Sequence, residues 1–457
     1  MHLDPYGQTV TLNGPEALRN WSATEAAFLA HGATTPAHLA ATLEADPDFA
    51  LAHAVKGMFH LLLGRRELVE TAAEALRAAE ASAERAPPSL RERDCIAALR
   101  LWLGGDLRGA LGRFEGILAR HPGDAMTLKL DHALRFVLGD APGMRQGIER
   151  ALPAYGADHA ARGYVLGCHA FALEETGAYD AARRAGQAGL ELCPDDAWGL
   201  HAVAHVHDMT GDAAGGLAWL TGREAAWSHC NNFRYHVWWH RALMHLDLGQ
   251  AEEVLHLYDA EIRAEKTDDY RDIANATSLL MRLELEGVDV GARWGELADL
   301  AARRTEDGCL VFADLHYLLA LVGDGREGAA TALMRRLHRD ARAGRGDLAR
   351  AMARPGLSAA AGLEAFGDGR YDIAFLNLAQ ARRTMQAAGG SRAQRDLFER
   401  LTIDAGIRAG FLDEAETILR DRTERRGGRE DAYAAARHRL IFAARGEGPC
   451  ADRVPAE

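Results

Sequence analysis

The chain has 457 residues, 48% of them apolar and only 7% aromatic, and carries 53 Lys and Arg against 66 Asp and Glu for a net charge of -13. That balance excludes a general nucleic-acid binder and a surface drawn to anionic lipid, and no uncharged apolar run reaches membrane-spanning length. Six scattered cysteines without a CxxC spacing argue against a disulfide framework, and with an N-terminus lacking a basic and an apolar leader region they predict a cytoplasmic protein.

Along the chain one punctuation mark recurs. An apolar helix ends in a glycine, a turn follows, and a second amphipathic helix begins. The closing glycines are Gly64, Gly104, Gly139, Gly177 and Gly211, then Gly249, Gly287, Gly323, Gly367 and Gly410, spaced 34 to 44 residues apart. A glycine there can take the left-handed conformation that ends a helix. Pro47, Pro122 and Pro194 precede several of the first helices, each followed by an aspartate able to cap the next one. Paired helices at this period form an all-α, tetratricopeptide-like helical-hairpin solenoid, a right-handed superhelix in which the first helix of each unit lines the concave face. Such inner helices are predicted near 125–139, 161–177, 196–211, 231–249, 272–287 and 310–322. The stretch Glu84 to Asp94 is a turn with a fresh helix start, whereas Asp340 to Gly356 and the chain from Gly427 are less regular. The expected division is an N-terminal segment with the first helix (1–35), a repeat array with a histidine-rich concave face (36–330), C-terminal repeats or cap (331–445) and a tail (446–457).

Eight of the 20 histidines fall between His201 and His256. In "HAVAHVHDM", His201 and His205 are four apart; in "YHVWWHRALMH", so are His236 and His240. Each pair shares one helix face. Both helices are inner helices of consecutive units, so the four rings are expected to converge on the concave wall. Two histidines plus a carboxylate, or three histidines, suit a divalent transition metal, and Asp208 or Asp314 could orient the rings from behind. Other polar groups at comparable depth are Asp131, His132, His169, Glu174, Glu175, Asp314 and His316, with Tyr235, Trp238 and Trp239 as an apolar wall. Three readings stay open: a metal site on His201, His205, His236 and His240; a polar pocket without metal; and core packing with no ligand. The zincin signature HExxH is absent, as are a Walker A loop and a GxSxG elbow. "GDGREG" (Gly323 to Gly328) has the GxGxxG spacing but follows a helix instead of a strand. Cys230 at a helix start is conceivable as a thiol nucleophile, and bystander burial is the simpler reading. In "GGSRAQRD", Ser391 reads as a helix cap, with Arg392 or Arg395 as an alternative partner for an anionic ligand.

"DAWGLHAVAHVHDM" (Asp196 to Met209), "HVWWHRAL" (His236 to Leu243), "RLELEGVDVGARW" (Arg282 to Trp294), "ADLHYLLA" (Ala313 to Ala320) and "GGSRAQRDLF" (Gly389 to Phe398) resemble the tetratricopeptide repeat protein 38 family, in order and in spacing, over about Trp21 to Leu440. The histidines that match are His201, His205, His207, His236, His240 and His316. The resemblance implies a tetratricopeptide-like α-helical fold and no established reaction. Two functions are expected. One is a repeat protein that binds a small molecule or a protein segment in its concave groove, with His201, His205, His236, His240, Trp239, His316, Asp314, His169 and Glu175 as candidate contacts. The other is an enzyme with a histidine-centred, metal-assisted site for a small polar substrate. The first calls for a continuous polar groove, the second for a compact closed pocket. A purely structural scaffold is a third possibility.

Overall fold

The computed structural model describes residues 2–446. After a short antiparallel ribbon, His2–Leu3 with Thr9–Val10, the chain runs as helical hairpins from Gly14–Leu29 to Ala432–Ala444. It is an all-α, tetratricopeptide-like hairpin solenoid. The expected inner helices occur at Ala125–Val137, Arg162–Glu175, Ala197–Met209, Phe233–Asp247, Tyr270–Leu285 and Val311–Gly323. Asp124 and Asp196 cap two of them by accepting from the backbone N–H three residues on. The helix after Pro47, Ala50–Leu62, has no side-chain cap. Ser89 and Glu92 form a reciprocal capping box at Leu90–Leu103, the fresh start predicted there.

Seven of the ten predicted closing glycines have a positive φ; in three units the left-handed residue is shifted to Gly105, Gly325 and Gly369. Helical geometry persists through Gly104, Gly323 and Gly367 in those units, and the next available glycine makes the turn. "GDGREG" is such a turn between two helices. The hairpin Gly14–Leu29/Thr35–Ala45 straddles residue 35, and the helix Glu327–Ala343 runs across residue 330. The stretch after Gly427 is regular as far as described: Ala432–Ala444 is a helix that docks through Arg437, whose guanidinium reaches the Leu285 carbonyl and Glu286. Of the predicted tail 446–457, residues 447–457 lie outside the described residues.

Burial separates two layers. The outer helix Tyr179–Leu192 buries three of its 14 residues. The inner helices Ala197–Met209 and Tyr270–Leu285 bury 12 of 13 and 14 of 16. A helix buried all round sits inside a molecule, not along an open groove. What fills the interior is the chain's own return. Arg282 Nη2 donates to the Ala393 carbonyl at 2.8 Å, Arg392 N–H to Glu175 Oε1 at 2.7 Å, and Arg426 Nη2 to Asp208 Oδ1 at 2.9 Å. On the opposite side Arg304 binds both oxygens of Glu67 at 2.8 and 2.9 Å, and Asp347 N–H donates to the Gly105 carbonyl at 3.1 Å. Among the described residues the returning chain therefore covers much of the concave face, and a cavity of about 530 Å³ remains where Glu175 and Met209 face Arg392 and Arg426. Among the described residues, no helix is long and apolar enough to cross a membrane.

Candidate functional site

Ala197–Met209 and Phe233–Asp247 are adjacent inner helices, and their histidines meet. His201 Nε2 lies 3.1 Å from His236 Nε2, which lies 3.2 Å from His240 Nε2. His205 joins them, with ring centroids 4.3 Å from His201 and 4.2 Å from His240. One ligand atom from each of the four lies within 4.8 Å of the others. Two nitrogens bound tetrahedrally to one ion at about 2.0–2.1 Å would stand about 3.3–3.4 Å apart, so the observed separations need only slight opening.

Behind the rings stand groups that can fix their tautomers. His236 Nδ1 donates to Asn275 Oδ1 at 3.2 Å, which leaves its Nε2 lone pair facing the other imidazoles. Glu174 Oε2 lies 3.3 Å from His205 Nδ1, off the line of a hydrogen bond, and Asp208 Oδ2 is 4.0 Å from His240 Nδ1. His201 Nδ1, both nitrogens of His205, His240 Nδ1, both oxygens of Glu174, Asp208 Oδ2 and Asn275 Nδ2 are buried without a hydrogen-bond partner. Buried polar atoms are normally paired, because leaving one unmade costs about 1–3 kcal/mol.

Burial, reinforced by the neighbouring imidazoles, holds His201 and His240 well below the ordinary histidine range. The same burial brings His236 down to about 3. Burial alone would also lower His205, but the charge of Glu174 beside it, joined by those of Glu175 and Asp208, outweighs it and raises this histidine. Three neutral imidazoles and one beside a carboxylate form a donor set with lone pairs to offer, as zinc, copper, nickel or iron prefer.

Other predicted residues lie elsewhere. Trp239 stacks on His236 at 5.3 Å and shields the cluster. Glu175 belongs with Glu174 and His205 to a second group of convergent donors, but its oxygens accept from Arg392 N–H and from Arg395. Asp314 pairs with buried Arg336, Nη1 to Oδ2 at 2.8 Å, and so turns toward the outer helix Glu327–Ala343. His316 donates from Nδ1 to the Phe312 carbonyl at 2.7 Å and packs on Phe312 and Phe398. His169 faces Glu149 at 3.5 Å. These three are not part of the cluster. Cys230 is buried, which pushes its thiol up to about 12 and leaves it inert.

Asn275 and the surrounding cavity are the additions, and Glu174, one of the polar groups expected at this depth, proves to stand behind His205. Asn275 stands 39 residues after His236, one repeat step on, and Glu174 precedes Gly177 by the same three residues that separate Asp208 from Gly211. Register against the glycines was the signal available for Glu174, and position on the next inner helix the one for Asn275. The cavity, about 90 Å³, opens beside His201 and His236 between Phe171, Trp198, Phe233 and Phe312. Its far wall is the loop Ala388 to Ser391, so "GGSRAQRDLF" encloses the cavity with its backbone while Arg395 turns away to Glu175 and the Gly390 carbonyl.

No protein-family model matches the chain. Among solved structures it is similar to a chain in the structure of Naa15/Naa10 bound to HypK-THB, at 12% identity and a TM-score of 0.26, over 94% of this chain and 68% of that one. No residue role is transferred from that likeness.

Proposed function

We propose that this chain holds a divalent transition metal on His201, His236 and His240, with His205 as fourth donor, and acts as a metal-assisted enzyme on a small polar molecule in the adjoining cavity. The observation that carries this reading is the convergence of three Nε2 atoms within 3.2 Å steps while ring and carboxylate atoms around them stay unpartnered. A core built only for packing would satisfy those atoms or replace them with hydrocarbon. The tetratricopeptide repeat protein 38 resemblance adds support, since three of its segments, Asp196–Met209, His236–Leu243 and Gly389–Phe398, meet at this one place.

The chain's residues divide the work. Asn275 holds His236 in one tautomer, and Glu174 and Asp208 raise the basicity of His205 from behind. Trp198, Phe171 and Phe233 exclude water on the cavity side, which strengthens every charge interaction inside. The bound ion would supply Lewis acidity to a substrate oxygen. The contacts of the returning chain with Glu175, Asp208 and Arg282 count against the alternative of a protein segment lying along the whole concave face.

The test is elemental analysis of protein purified without an affinity tag, beside His201→Ala/His240→Ala. The expected result is close to one transition-metal ion per chain in the parent protein and none in the variant. Parent protein that carries no metal and takes up neither zinc, copper, nickel nor iron(II) on titration would overturn the proposal.

A further inference from the structure

The cavity beside the histidines has a chemical bias of its own. Its rim gathers the starts of several inner helices: Trp198 near the start of Ala197–Met209, Asn232 before Phe233–Asp247, Tyr270 and Arg271 opening Tyr270–Leu285, Leu310 before Val311–Gly323 and Ser391 before Arg392–Ala409. Asp196, Asn231, Asp269 and Ser391 accept from N–H groups in four of these first turns, and the helix dipoles add partial positive charge at the rim. Two side chains sharpen this. Asn275, 1% exposed, spends its carbonyl oxygen on His236 and Gln394, and its Nδ2 has no acceptor. Arg271 binds Asp269 through Nε and Nη2, which leaves Nη1 free; 36% of its side-chain surface is open, at a position lining the cavity. Two residues that carry donors without an acceptor thus line a space walled otherwise by aromatic and aliphatic side chains and by the loop Ala388 to Ser391.

Resting on the small-molecule reading above, we infer that the cavity takes a small flat carboxylic acid, its carboxylate on Arg271 Nη1 and Asn275 Nδ2 and its conjugated body between Trp198, Phe233 and Phe312. Asp269 neutralises part of the guanidinium charge, so recognition depends on directed N–H groups more than on bulk attraction. A planar acceptor with two oxygens matches that geometry, whereas a primary amide offers one oxygen and brings two further donors to a site already rich in them. A volume of about 90 Å³ corresponds to about six to nine waters, which limits the acid to roughly six to eight non-hydrogen atoms.

The experiment is calorimetric titration of the full chain, both chelator-treated and metal-loaded, with crotonate and 2-furoate against crotonamide and 2-furamide. The change in tryptophan fluorescence, compared with that of Trp198→Phe, serves as a second readout. The acids are expected to bind at least 10-fold more tightly than their amides in both forms, and Arg271→Gln/Asp269→Asn, which removes the ion pair as a unit, is expected to abolish the difference. Circular dichroism on that variant checks that it is folded. If it is not, Gln394→Leu, which removes a cavity-lining neighbour of Asn275, serves in its place and is expected to weaken acid binding. Amides binding as well as acids would overturn the inference. So would acid binding confined to metal-loaded protein and lost in His201→Ala/His240→Ala, because the acid would then sit on the ion. Discrimination that persists in chelator-treated protein while no metal binds at all would retain this inference and remove the metal centre.

Discussion

Two buried polar clusters lie close together in this molecule and are built on opposite rules. Where the inner helix Arg392–Ala409 meets Leu412–Arg425, Arg422 binds Asp396 through Nε at 2.6 Å and Asp431 through Nη2 at 2.7 Å, Arg400 binds Asp396 at 2.8 Å, and Arg426 reaches Asp431 at 3.3 Å. Three guanidinium groups also lie over the Tyr433 ring, at 4.4, 5.0 and 4.2 Å for Arg400, Arg422 and Arg437. In that cluster opposite charges are matched in place. In the histidine cluster like meets like, and many of the buried ring and carboxylate atoms have no partner. The contrast teaches that polarity inside a repeat scaffold is not one phenomenon. A network whose charges are matched within the chain serves the architecture, and one with so many unpartnered buried atoms fits the metal site proposed above.

The largest expected effect follows from breaking the complete network. Arg422→Leu leaves Asp396 and Asp431 buried without their main cation, and removing one partner of such a group costs about 3–5 kcal/mol. Urea unfolding should show that loss while metal content is unchanged. Acid should separate the same two proteins. Burial alone would raise Asp396, but Arg422, Arg400 and Arg426 outweigh it and hold the carboxyl well below the usual range; Asp431 is lowered in the same way, chiefly by Arg422 and Arg426. Their contribution is therefore present above the unfolded carboxylate pKa of about 3.9 and is lost as pH falls through the depressed folded values. Arg422→Leu should move the acid-unfolding midpoint to higher pH. An unchanged midpoint would show that other groups control acid stability.

Second in size is Glu174→Gln. The amide keeps the volume behind His205 and loses the charge. Replacing a group that orients a metal-binding histidine typically lowers metal affinity about 10- to 100-fold. Competition with a chromophoric chelator measures this directly, and affinity equal to the parent would remove Glu174 from the site. Third is Gly390→Ala. Gly390 has φ +76°, and an added Cβ would stand 2.4 Å from Phe312 Cε2. Strain of this kind costs about 1–3 kcal/mol, and displacement of Phe312 would alter the cavity wall. A lower Tm with intact metal content is expected; a parent-like Tm would mean that the loop has room to move.

How much of this could be read beforehand follows from what each feature depends on. The hairpins were legible because helix ends need particular residues: proline and a capping aspartate before, glycine after. Convergence of the four histidines was legible because His201 with His205 and His236 with His240 are each four apart, so each pair shares one face, and the glycine spacing places both helices as inner helices of consecutive units. Asp314 and His316 failed as additions for a helical reason. Residues two apart point about 200° from each other, so both could not face one site, and buried Arg336 claims the aspartate. The closed interior was invisible. Glu175 and Arg392 are 217 residues apart in the chain, and no local pattern records that the solenoid returns on itself.

The smallest predicted effect tests the comparison most directly. His240→Leu removes an imidazole whose Nδ1 has no partner and whose Nε2 meets only another ring nitrogen. Leucine nearly fills the volume and brings no unsatisfied atom. Replacing unsatisfied polar groups by hydrocarbon of similar shape is close to neutral, and can stabilise. In chelator-treated protein the change should therefore alter unfolding free energy by less than about 1 kcal/mol, far below the 3–5 kcal/mol expected of Arg422→Leu. In metal-loaded protein it should remove the stabilisation that a bound ion confers through its preference for the folded state. A loss of about 3 kcal/mol without metal would place His240 among the structural groups and make the two clusters alike. A small loss without metal and a large one with it would make the histidines a site kept at the expense of internal satisfaction.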